Sequence, residues 1–221
     1  MFRLVELTEP SWWQSLLTWL NHVVSGNATL FHTATILADI FVFAYPILLV
    51  VLFVYGRKHK RIHYQHQSLQ ILSSVAVATM ITILIQQLIR KDRPESLPGL
   101  QLILAHVPTI SFPSDHATVS MAIAVGTMLV RRHNKSRYSG GTKYIPRALL
   151  VCSLIMGIAR VAVAIHRPSD IAAWRIIGIV WGVWGRYLYN NSYIQQKTKQ
   201  CITQINSIID RIVSATGVTS K

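Results

Sequence analysis

Five stretches of this chain, 33–55, 67–89, 114–130, 147–165 and 169–188, are apolar over about 20 residues each, the length a helix needs to cross the hydrocarbon core of a bilayer. Inside that core no water is available to the backbone, so each crossing segment must bond its own N–H and C=O groups and is expected to be helical. The fold class that follows is all-α: an integral membrane helical bundle with about five transmembrane helices. Composition agrees, since 51% of residues are hydrophobic and only 14% are charged.

A formal net charge of +14 raises the possibility of a nucleic-acid partner. The distribution of the basic residues argues against one, because they cluster between apolar runs and not along one polar face. Residues 56–66 carry four Lys/Arg and 131–147 carry six, against three in 90–113 and one in 166–168. Cytoplasmic loops collect Lys and Arg, so the first two loops are expected in the cytoplasm. The second pair, with the N-terminus, is then expected on the extracytoplasmic side. Cys152 and Cys201 form neither a disulfide framework nor a metal-ligand spacing. Residues 1–25 lack the basic start, apolar centre and small-residue cleavage site of a signal peptide.

The flanks read differently. In 11–24, Trp13, Leu16, Leu17, Leu20 and Val24 recur at helical spacing over a length short for a span, as expected of a helix lying in the outer interface, with a sixth, short span as the alternative. In the tail, Cys201, Ile205, Ile208 and Ile212 form one stripe of an amphipathic cytoplasmic helix. The expected organisation is an N-terminal interfacial segment (1–32), a transmembrane domain (33–188) and a cytoplasmic tail (189–221).

Three separate segments bring polar residues to the same outer face: Arg90, Lys91, Asp92, Arg93 and Glu95; Asp115 and His116; and Arg160, His166, Arg167 and Asp170. Each has an ordinary explanation alone. Arg90 and Arg93 could snorkel from a helix end, His116 could be an interfacial histidine, and Asp170 could cap a helix. Together they suit an anionic substrate. Arginine forks and the start of a helix both bind phosphate, and Ser114 sits where the third helix should be capped. One histidine could attack phosphorus while the other protonates the leaving oxygen. Asp170, four residues after His166, is close enough to orient that ring. His116, His166, Asp115 and Asp170 could alternatively hold a metal, but the surrounding arginines would repel a cation.

Pro113-Ser114-Asp115-His116, Arg160-x5-His166-x3-Asp170 and, upstream, Arg93-Pro94 resemble the three motifs of the type 2 phosphatidic acid phosphatase superfamily. Those motifs read K-x6-R-P, P-S-G-H and S-R-x5-H-x3-D. The P-S-D-H form is similar to the bacterial undecaprenyl-diphosphatase, or bacitracin-resistance, branch. The resemblance implies that His166 is a nucleophile forming a phosphohistidine, that Asp170 orients it, and that His116 protonates the leaving group. It implies that Arg93, Arg160, Ser114 and the start of the third helix hold the phosphoryl oxygens, with no metal or other cofactor. Three positions depart from the pattern: Gln86 replaces the motif lysine, Asp115 the glycine, and Ala159 the serine. Lys91 or Arg90 is available to supply the charge that Gln86 lacks.

The activity implied is removal of the terminal phosphate from a polyprenyl diphosphate such as undecaprenyl diphosphate, at the extracytoplasmic side of a bacterial inner membrane. Its partners would be that lipid substrate and the bilayer, with no nucleic acid. Phosphatases or phosphotransferases acting on glycerolipids or lipid A remain alternatives, as does a non-catalytic membrane scaffold. Two further charges, Asp39 in the first span and Arg175 in the fifth, lie at similar depth and are expected to pair, because unpaired charges within spans are costly.

Overall fold

The computed structural model describes residues 10–89, 94, 99–101, 114–133 and 144–216. Among them are eight α-helices: α1 (Ser11–Ser25), α2 (Ala28–Asp39), α3 (Ala44–Lys58), α4 (Ile62–Leu88), α5 (Asp115–His133), α6 (Ile145–Ala162), α7 (Pro168–Asn190) and α8 (Ser192–Ala215). The all-α membrane bundle expected from the apolar pattern is what the chain forms.

The segment expected as one span over 33–55 is two helices joined by a 3₁₀ turn, Phe41–Phe43. Pro46 supplies the reason. It has no N–H to give the carbonyl of Val42, and its ring crowds that carbonyl, so an α-helix cannot run through at this point. The stretch long and apolar enough to cross a membrane is therefore Phe41–Lys58, with Ile62–Leu88 and Ile145–Ala162 as its counterparts among the described residues. The helices α5 and α7 are as long but more polar. Burial explains α5: it is covered by protein along nearly all its length, so it needs little lipid-compatible surface.

Helix α4 begins five residues before the expected start at 67, which shortens its connection to α3 to residues 59–61, with Lys60 in the left-handed region at φ 54°. Gly56 permits the tight hairpin, because a Cβ there would lie 2.9 Å from the Cβ of Tyr64.

The centre of the bundle is a parallel pair, α5 and α7, packed backbone to backbone. Gly178 faces Thr118 and Met121, and Gly182 faces Val125 and Gly126. A Cβ on Gly182 would sit 2.6 Å from the Cβ of Val125. Small residues spaced four apart are the usual means by which membrane helices approach so closely. Helix α4 runs antiparallel to α7, with Ser74 against Gly185 and the His66 ring on Tyr189. The polar residues at the starts of α5 and α7 thus gather at one end of the bundle, and the basic α3–α4 turn lies at the other.

Helix α1 forms as expected and turns Leu17 and Val24 inward. It also buries Asn21, whose amide donates to Gln101 O and Ala162 O and whose carbonyl accepts from Gln101 N–H. Helix α8 is amphipathic as expected, and it docks on a face centred on Ile202. Ile202 is the buried anchor, and Cys201, Ile208 and Ile212 are exposed. The docked face is partly polar: Asn206 accepts from Gln65 at 3.1 Å and Thr198 lies 3.5 Å from Gln70, and it lies about 90° around the helix from the apolar stripe.

Candidate active site

The α6–α7 turn builds one half of the site. Helix α6 ends in a Schellman arrangement: Ile165 N–H returns to Arg160 O at 3.1 Å and Ala164 N–H to Val161 O at 3.0 Å. The residue in the left-handed position is Ala164, at φ 57°, where glycine is the usual occupant. The same turn directs His166 N–H to Arg160 O at 3.3 Å. Five intervening residues are therefore what one Schellman turn needs to bring His166 back beside the arginine that precedes it.

The side chains meet as well. Arg160 Nη2 lies 3.2 Å from His166 Nε2. Guanidinium can only donate, so Nε2 must present its lone pair and the imidazole proton belongs on Nδ1. Nδ1 faces Asp170 Oδ2 at 3.7 Å, an electrostatic contact slightly too long for a direct hydrogen bond. Asp170 is fully buried at the third position of α7, and the same Oδ2 accepts Arg167 N–H at 3.0 Å. Capping the helix and orienting the ring are thus one act. Pro168, at the first helical position where no N–H is needed, completes the start of α7.

Arg160 is held from its other side by the end of α2. Nη1 donates to Ala38 O and lies 3.4 Å from Asp39 Oδ1. The expected Asp39–Arg175 pair is therefore not formed. Asp39 pairs with Arg160, and Arg175 lies over Gly157 on the outward side of α7. The break at residues 41–43 moves Asp39 from the interior of a span to the end of α2, level with Arg160.

The start of α5 is the other half. Ala117 packs with Val161, Ile171 and Trp174, which sets the neighbouring His116 beside the α6–α7 turn. His116 is half-buried and takes part in an interaction. Ser114 occupies the expected N-cap position, yet its buried hydroxyl has no hydrogen-bond partner among the described residues, so it does not serve as the cap. Gln86 is half-buried near the end of α4 and takes part in an interaction. Arg90, Lys91, Arg93 and the side chain of Asp115 lie outside the described residues; Pro94, next to Arg93, is buried. Sequence reasoning missed Asn21, although an asparagine between Leu17 and Val24 on an inward helical face could have marked it.

The match to the family model of the PAP2 superfamily covers residues 67–194, from the first third of α4 to the start of α8 and so across both halves of the site. The chain belongs to the PAP2 superfamily. Among PAP2 relatives it is 25% identical over 156 residues to undecaprenyl-diphosphatase BcrC of Bacillus subtilis, spanning 71% of this chain and 73% of that one. It is 24% identical over 187 residues to the putative undecaprenyl-diphosphatase YbjG of Escherichia coli, spanning 79% and 85%. The fold is similar to the crystal structure of Aquifex aeolicus LpxE, with a TM-score of 0.63 and 20% identity over 84% of this chain and 99% of that one. The helical bundle described above is thus the fold it shares with that structure.

Proposed function

We propose that this membrane phosphatase hydrolyses the terminal phosphate of a polyprenyl diphosphate, undecaprenyl diphosphate being the preferred substrate, through a phosphohistidine on His166. The observation that carries the reading is the Nε2 lone pair of His166, held 3.2 Å from Arg160 with Asp170 behind Nδ1. That arrangement describes a nucleophile beside a cation already positioned for a phosphoryl oxygen.

In the proposed reaction the terminal phosphate displaces the Arg160–His166 contact, and Arg160, Arg93 and the start of α5 bind its oxygens. Ser114 supports this assignment, since its hydroxyl is buried and unbonded among the described residues and would gain a phosphate oxygen. His166 Nε2 attacks phosphorus as the bond to the bridging oxygen breaks. His116 gives its proton to that oxygen, and the lipid monophosphate leaves. Water then loses a proton to His116 as its oxygen attacks phosphorus. The P–N bond breaks, releasing inorganic phosphate and restoring both histidines. Asp170 stabilises the positive charge the ring carries while phosphorylated. The similarity to BcrC and YbjG favours the polyprenyl substrate. The clustering of basic residues at the opposite end of the bundle favours an extracytoplasmic site in a bacterial inner membrane.

The test is phosphate release by purified protein in a chelator, comparing undecaprenyl diphosphate with phosphatidic acid. The expected result is faster turnover of the diphosphate and a radiolabelled phosphoenzyme that His166→Ala abolishes. A strict need for divalent metal, or preference for phosphatidic acid, would overturn the mechanism or the substrate respectively.

A further inference from the structure

On the outward side of the α6–α7 turn lies a groove of about 160 Å³ that the proposed reaction does not use. Trp13, Leu16 and Leu20 of α1 form one wall, and Gly157 and Ile158 of α6 form the floor. Pro168, Ile171, Ala172 and Arg175, at the i, i+3, i+4, i+7 spacing of one helical face, supply the remaining wall from α7. A cavity near 150 Å³ accepts a benzene-sized apolar group, so this one has room for a segment of a hydrocarbon chain. Ile158 is exposed on a helix apolar enough to cross the membrane, which makes the groove accessible from the side.

Arg175 is the one charge in this otherwise apolar lining. It has no hydrogen-bond or ion-pair partner among the described residues, and its Nη2 lies 3.5 Å from where a Cβ on Gly157 would stand. The same Cβ would meet Ile171 at 3.0 Å, so the guanidinium has reached back one turn to the level of Ile171. That is the height of Asp170, one residue away. Five residues at 100° each place Arg175 about 140° around α7 from Asp170, so it leaves the helix on the side away from Asp170 and His166.

We infer that this groove binds one anionic phospholipid of the surrounding bilayer, distinct from the substrate, with its phosphate on Arg175 and one chain along Leu16, Ile158 and Ala172. The absence of glycine's side chain at 157 leaves the space the guanidinium and headgroup share. Charge complementarity selects an anionic head, and the lateral opening selects a bilayer lipid over a soluble ion.

The test uses the full chain in detergent, titrated with phosphatidylglycerol or with inorganic phosphate and read by native mass spectrometry. The expected result is one phosphatidylglycerol retained per chain and no retained phosphate. Arg175→Gln should weaken retention about tenfold or more through loss of a charge-assisted contact. Ala172→Trp, which fills the groove from its exposed side, should weaken it without affecting the fold. Both variants should keep wild-type kcat on a short-chain substrate. Unchanged retention in either variant would overturn the site. Displacement of the phospholipid by a polyprenyl phosphate, with KM raised in both variants, would show the groove to be the substrate's own and overturn the assignment to a separate lipid.

Discussion

Asp39 offers a sharp test of how Arg160 is held. The two groups are 3.4 Å apart, a separation at which unit charges attract by about 1.2 kcal/mol in a water-like medium and about 5 kcal/mol at an effective dielectric of 20. The environments are unequal: the side chain of Arg160 is 5% exposed and that of Asp39 is 42% exposed. Water around the carboxylate pulls the net value to the low end, roughly 1 kcal/mol, or about fivefold in an equilibrium. In a chain of this size such a change moves the unfolding midpoint by about 2–4 °C. Asp39→Asn, Arg160→Gln and the double variant should therefore show coupling of that size in thermal unfolding in detergent. Arg160→Gln alone should lose more, because Ala38 O also loses its donor. Asp39→Asn combined with Arg175→Gln should be additive within about 0.5 kcal/mol. Additive losses for Asp39 with Arg160, or coupling between Asp39 and Arg175, would refute the arrangement described.

Three other outcomes are expected. His166→Ala should abolish turnover and phosphoenzyme, while His116→Ala should slow turnover by about 10²–10⁴ as loss of a general acid does, measured by phosphate release. Ala164→Gly should relieve up to about 1 kcal/mol of left-handed backbone strain and raise the unfolding midpoint; a lowered midpoint would show that the turn is not strained. Gly182→Ala should cost about 1–3 kcal/mol by forcing α5 from α7, since its Cβ would stand 2.6 Å from that of Val125; Gly26→Ala, whose Cβ would meet only backbone oxygens at 3.4 and 3.8 Å, is the control.

The helical bundle was legible in the sequence because crossing a bilayer imposes length and apolarity directly. The bounds of α5, α6 and α7 agree with the apolar runs to within about three residues, the usual uncertainty of helix ends. The break before α3 was also written there, in Pro46, but an apolar average conceals a missing N–H. The closeness of Asp170 to His166 followed from their spacing, and the place of Arg160 beside them from the resemblance of Arg160-x5-His166-x3-Asp170 to a family motif. What spacing could not show was that a Schellman turn performs the clustering, or that Asp170 is both cap and orienting group. Pairing Asp39 with Arg175 failed because matching depths along two presumed spans ignored the change of direction at residues 41–43. The tail helix was legible in its apolar stripe, but its docking was not: α8 docks through Asn206 and Thr198, and an apolar stripe does not reveal a polar interface.

The glycine seam between α5 and α7 has a consequence for how such a molecule can change. His116 rides on one of these helices, while His166 and Asp170 are tied to the start of the other. Because the two meet through Gly178 and Gly182, close helix contact sets the gap between the two histidines, which in the proposed reaction are proton donor and nucleophile. In that reading the gauge of the reaction is machined into the centre of the bundle, while α1 and α3 lie outside it and the end of α2 enters through Arg160. Remodelling α1 or α3 would then leave the spacing of the two histidines as it was.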